Sequence, residues 1–243
     1  MLSIFIKELK SFFSSLTGYI AAIVFLTTTG LVLWIIPGNL NILDGGVASL
    51  DSLFAIAPWV FLFLVPAITM RSFADEKKSG TIELILTRPV SDTAIVTGKF
   101  LAAFVLVIVL LLPTLIYYYS VYKLGNPVGN IDVGGTWGSF IGLLLLAAIY
   151  AAIGIFASTI TDNSIVAFLL AVVFSLFVYT GISSLASFNS FSGIKQVLLN
   201  LSIVEHYSSL SRGVIDSRDV IYFVSVTLLF LIFARTTIES RKW

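Results

Sequence analysis

Five stretches of 18 to 23 residues carry no Asp, Glu, Lys, Arg or His: 18–36, 53–70, 100–122, 137–158 and 165–187. A sixth, 220–234, is shorter and reaches residue 238 if Arg235 snorkels. A helix needs about 20 apolar residues to cross the hydrocarbon core of a bilayer. Backbone in lipid must satisfy its own hydrogen bonds, so only helices and closed barrels span. Barrel strands alternate apolar and polar positions over about 10 residues, and residues 104–112 do not alternate. The chain therefore reads as an all-α integral membrane protein. Six transmembrane helices are expected at about 18–36, 53–70, 100–122, 137–158, 165–187 and 220–238, in one membrane domain over 1–243. Composition agrees: 58% of residues are hydrophobic and 11% charged, against about 25% charged in soluble domains.

Basic residues in the flanks set the orientation. With the N-terminus in the cytoplasm, the inner side holds Lys7, Lys10, Arg71, Lys77, Lys78, Arg88, Lys99, Arg235, Arg241 and Lys242. The outer side holds Lys123, Lys195, Arg212 and Arg218. Both termini are thus expected to be cytoplasmic. Trp34, Trp59, Trp137 and residues 117–119 then fall near outer helix ends, as belt aromatics do. Run 18–36 is too long for a cleaved signal peptide, and no A-x-A site follows it.

Charge-free spans count against a proton- or cation-coupled carrier, whose pathway needs ionisable groups. No cysteine is present, so thiolate metal sites and disulfides are excluded. No metal site and no catalytic residue is expected. His206, the one histidine, reads as a solvated loop residue, and no G-x-S-x-G motif offers a nucleophile. One net positive charge gives no reason to expect nucleic acid. A phosphate-binding G-x-x-x-x-G-K-[ST] loop is missing, since Gly98-Lys99 runs on into Phe100. Any energy from ATP must arrive through another chain.

Leu2, Phe5, Leu9, Phe12 and Leu16 repeat at helical spacing, with Ser3, Lys7, Lys10 and Ser14 opposite. That pattern predicts an amphipathic helix in the cytoplasmic headgroup plane, its lysines toward anionic lipid. It serves either as an elbow for the membrane domain or as a plain anchor. Segment 71–99 is far longer than the roughly 2–8 residues that join packed helices. Gly80 is placed to end one helix in a left-handed cap. Thr81–Leu86 then forms a short helix with Ile82, Leu84 and Ile85 apolar and Glu83 exposed. Arg88-Pro89 stops it, and Ser91 or Asp92 caps the next. A short stiff helix presenting apolar and charged groups suits a docking knob for another protein; its apolar face could equally rest on the membrane.

The residues Asp75-Glu76-Lys77-Lys78, Gly80-Thr81-Ile82-Glu83-Leu84, Pro89-Val90-Ser91 and Gly98-Lys99 resemble the signature of ABC-2-type transporter permease subunits. The similarity extends along the chain. Residues 57–78, 111–119 and 213–225 are similar to the gliding-motility-associated permease of Bacteroidetes-type bacteria. The resemblance implies an ABC-2 exporter-like permease in a bacterial inner membrane, with no cofactor of its own. It implies a second permease or permease-like subunit, and a separate cytoplasmic ABC ATPase that binds ATP and Mg. It also implies that loop 71–99 carries the ATPase-coupling helix, with Glu76, Gly80, Thr81, Glu83 and Leu84 as contacts. An alternative is a non-transporting scaffold that anchors a motility or envelope complex.

Pro58, Pro66 and Pro113 lie inside spans two and three and act as hinges or as static bends. Gly138-x-x-x-Gly142 and Gly154-x-x-x-Ser158 are small-residue faces, for a permease–permease seam or for packing within the chain. Segment 188–219 is too polar to span. It is expected to hold re-entrant or interfacial helices or to lie as a surface loop, with Gly213 as a stop and Asp216 or Ser217 capping the last span.

Overall fold

A computed structural model describes residues 1–86, 91–188 and 193–240. Among these the chain is helical throughout, with no strand. In order come α1 (Leu2–Phe13), α2 (Leu16–Trp34), α3 (Asp51–Thr69), α4 (Arg71–Lys78), α5 (Thr81–Leu86), α6 (Asp92–Leu111), α7 (Leu115–Leu124), α8 (Val133–Ile160), α9 (Ser164–Leu176), α10 (Ile182–Ser187), α11 (Lys195–Asn200), α12 (Ile203–Leu210) and α13 (Ser217–Glu239). Five helical stretches are long and apolar enough to cross a membrane, and a sixth if α2 is counted with α1, which bends 67° from it. Each overlaps a charge-free run.

Polar side chains at the ends fix where these helices begin. Ser91, Asp132, Asn163 and Asp216 each accept a hydrogen bond from a backbone N–H of the first turn, that of Ala94, Gly135, Ile165 and Arg218 respectively. Helix starts leave such donors orphaned, and a capping oxygen satisfies one. Ser91 and Asp216 are thus the caps among the alternatives open in the sequence. Arg88-Pro89 lies outside the described residues.

The hub of the bundle is α8, which packs on α3, α4, α6, α9, α12 and α13. Its small residues explain how. A methyl group at Gly142 would meet Leu210 Cβ at 2.5 Å, one at Gly138 the Gly213 carbonyl oxygen at 2.5 Å, and one at Gly154 Thr69 Cβ at 2.9 Å. Both small-residue faces therefore seat partners within this chain: Gly138 and Gly142 take α12 and its exit, and Gly154 takes the end of α3. Segment 188–219 splits accordingly. α11 has no buried residue, whereas α12 buries Ile203, Tyr207 and Leu210. Tyr207 donates to the Phe54 carbonyl at 2.8 Å.

Three features depart from the expected regularity. Span three breaks into a 3-10 turn at Leu112–Thr114, where Pro113 sits, between α6 and α7. Span five contains a π-turn, Phe177–Gly181, between α9 and α10. His206 is no solvated loop residue: its Nδ1 lies 2.6 Å from Asp219 Oδ1, its Nε2 lies 2.9 Å from the Asn200 carbonyl, and its ring stacks on Tyr222. The sequence placed it in a polar segment and gave no sign of the carboxylate 13 residues on.

Tyr150, in the middle of α8, is fully buried, and its hydroxyl has no hydrogen-bond partner among the described residues. An unsatisfied buried polar group costs about 1–3 kcal/mol. Tyr150→Phe keeps the ring and removes the orphan. It is expected to leave stability unchanged or raise it by about 1 kcal/mol, measured as thermal melting in detergent. A clear loss would show that the hydroxyl has a partner.

Candidate functional site

Two short helices project from one end of the bundle. α4 continues from α3, and its inner face buries Phe73 and Ala74. Phe73 belongs to a cluster with Ile95 and Val96 of α6, Ala152 and Ile155 of α8, and Leu231, Ala234 and Ile238 of α13. Ile4 of α1 and Ile82 of α5 pack against it. The N-terminal helix α1, the α4–α5 segment and the last turns of α13 thus share one end of the molecule.

The turn between α4 and α5 is built for a sharp change of direction. Gly80 has φ +68°, the left-handed conformation that residues with a Cβ avoid. The Ser79 hydroxyl donates to the Asp75 carbonyl at 2.8 Å and lies 2.9 Å from the Thr81 hydroxyl, which closes the turn. Beyond it, Thr81 and Glu83 are exposed and Ile82 is half-buried. This is the pattern expected of α5 at those positions; the side chains of Leu84 and Ile85 lie outside the described residues.

Glu76 points the other way, into the protein. Its carboxylate lies 2.8 Å from Lys7 of α1 and 3.0 Å from Lys99 of α6. Lys99 also lies 2.8 Å from Glu8 and donates to the Ser72 carbonyl at 2.5 Å, with its ammonium 4.9 Å above the Phe73 ring. Lys99 is only 2% exposed. Two cations and two carboxylates balance one another there, which is how buried charge becomes tolerable. Three helices far apart in sequence are joined by this group. A fourth is held by Lys77, which donates to the Thr159 carbonyl in the last turn of α8. That carbonyl end carries the negative pole of the helix dipole, so a cation suits it.

Gly98 explains how α1 comes so near. A methyl group there would meet the Met1 carbonyl oxygen at 3.3 Å and Ile4 Cβ at 3.5 Å. The Gly-Lys pair is thus a seat for α1: glycine gives the approach and lysine binds Glu8. Lys7, expected to face anionic lipid, is exposed like Lys10, and its ammonium also reaches Glu76. Burial lowers the Lys7 pKa, but the hydrogen bond to Glu76 and the charges of Glu76 and Glu8 outweigh it, so the pKa lies above the ordinary lysine value. What Lys7 contributes is therefore complete at neutral pH and is lost only as pH rises through that raised value.

Of the residues expected at a partner interface, the structure places Thr81 and Glu83 on the surface of α5, Gly80 at the turn beneath them and Glu76 in the ion cluster. Lys7, Glu8 and Lys99 join this site without having been singled out for it. Only the Gly-Lys pair signalled them, because ion pairs spanning 69 and 91 residues leave no local pattern.

The described residues contain no group of three or more His, Cys, Asp or Glu side chains fit to hold a metal. No curated protein matches the chain. A family model, ABC-2 family transporter protein, matches residues 6–235. With that match covering nearly the whole helical bundle, the chain belongs to the ABC-2 family of transporter membrane proteins.

Proposed function

We propose that this permease subunit is driven by a separate cytoplasmic ATPase that docks on α5, and that the charged cluster behind α5 passes the ATPase's movement into the membrane helices. The observation that carries this reading is the division of labour across Gly80. On one side, Thr81 and Glu83 face outward on a six-residue helix. On the other, α4 is tied to α1 and α6 through Glu76 and to α8 through Lys77. A push on α5 therefore reaches four helices together instead of bending one.

In this reading ATP and Mg are bound by the partner chain, and two permease subunits form the pathway. Both termini lie in the cytoplasm, and the membrane is a bacterial inner membrane. Resemblance to gliding-motility permeases makes that process the setting. The mechanism is alternating access. The 3-10 turn at Pro113 is where α7 adjusts to movement of α6, while Pro58 and Pro66 each leave α3 without one backbone hydrogen-bond donor.

The test is co-expression with the nucleotide-binding chain encoded nearest to it. A stable complex whose ATP hydrolysis changes at least about threefold on reconstitution with this subunit is expected. Failure of every such chain to co-purify would overturn the reading, and function that survives an ATPase-dead partner would assign the chain to anchoring instead.

A further inference from the structure

A cavity lies at the end of the bundle opposite α5, and coupling makes no use of it. It measures about 780 Å3, within the range of small-molecule sites. The connection after α2, the end of α7, the first turns of α8 and Arg212 after α12 form its walls. Asp51 and Arg212 both line it, and neither has an ion-pair partner among the described residues. Arg212 gives its Nε–H to the Ser208 carbonyl at 3.0 Å, which anchors the side chain and leaves its terminal nitrogens available. Asp132 adds a second carboxylate, one oxygen of which caps α8.

Opposite charges that face one cleft without neutralising each other define what would fill it. A simple anion would meet two carboxylates, and a simple cation would leave Arg212 unanswered. A ligand carrying both signs satisfies all three. A phosphate matches the planar fork of Arg212, since guanidinium groups bind it through paired hydrogen bonds. An ammonium group matches Asp51. The same cleft has an apolar side: Leu43, Val47 and Leu124 line it, and each is at least 60% exposed. Exposed apolar surface beside a charged recess fits acyl chain below headgroup.

We infer that this cleft binds a zwitterionic aminophosphate headgroup with its acyl chains, that is, an aminophospholipid of the leaflet at this end of the molecule. The site stands apart from α5, so binding is read on the purified chain without any ATPase, and its outcome does not depend on the coupling proposal.

The full-length chain in detergent is titrated with three probes: dihexanoyl phosphatidylethanolamine, dihexanoyl phosphatidylglycerol and glycerophosphoethanolamine. The phosphatidylethanolamine is expected to bind at least about tenfold more tightly than the other two. Arg212→Gln and Asp51→Asn are each expected to weaken it about tenfold at unchanged melting temperature, with Arg212→Lys intermediate. Equal affinity for the two lipids, or full affinity in both variants, would overturn the zwitterion site. Equal affinity for glycerophosphoethanolamine would make the ligand a soluble zwitterion and overturn its assignment to lipid.

Discussion

Lys99→Met is expected to destabilise the protein by about 3–5 kcal/mol, the usual cost of removing one partner from a buried ion pair. Methionine fills much the same space, so the effect isolates charge. Without the ammonium, Glu8 and Glu76 lose the cation between them, and Glu76 keeps only the partly exposed Lys7. The Ser72 carbonyl loses its donor too. Thermal melting in detergent measures the loss. A second substitution separates charge from packing: Glu8→Gln in the Lys99→Met background removes one stranded carboxylate and should recover part of the stability. An unchanged melting temperature in Lys99→Met would mean that the cluster does not hold α1, α4 and α6 together.

The second large effect is steric. Gly154→Leu forces a branched side chain into the contact between α8 and Thr69, where even a methyl group would stand 2.9 Å from the threonine Cβ. Thr69 cannot retreat, being fully buried with its hydroxyl bonded to the Val65 carbonyl at 3.0 Å. Overpacking by single methylenes costs about 1–3 kcal/mol, so Gly154→Ala should fall in that range and Gly154→Leu beyond it. Gly134→Ala is the control: its methyl group would meet nothing nearer than Asp132 Oδ1 at 3.6 Å, and α8 should tolerate it. Because Thr69 is the last residue of α3 before α4, the leucine variant should also misplace α4 and α5. Equal melting of the Gly154→Leu and Gly134→Ala proteins would refute the close packing.

Much of the fold was legible because one physical rule dominates it. Charge-free runs mark spans, and the turn at Gly80 and a helix start at Ser91 or Asp92 follow from local backbone chemistry. The short helix Thr81–Leu86 was legible for the same reason, since glycine, the periodic apolar residues and Glu83 all lie within a few positions. What escaped was long-range pairing. Lys99 looked like the charged edge of a span, yet it is buried between Glu8 and Glu76. Glu76 was expected as a contact for a partner chain, and nothing in its neighbourhood names Lys7 or Lys99. His206 and Asp219 are equally silent about each other. The π-turn at Phe177–Gly181 also left no mark, as its residues continue an apolar run that suits an ordinary α-helix.

Coupling through α5 makes the sharpest demand on a single residue. Glu83 is exposed, and no other residue of this chain is bonded to its carboxylate among those described, so reversing its charge leaves the fold alone. The decisive measurement is the affinity of the Glu83→Arg subunit for its ATPase chain, together with the ATP hydrolysis of the reconstituted pair. At least about a tenfold loss of affinity, with hydrolysis no longer responsive to the permease and an unchanged melting temperature, is the predicted result. Unaltered binding and unaltered coupled hydrolysis would contradict the account.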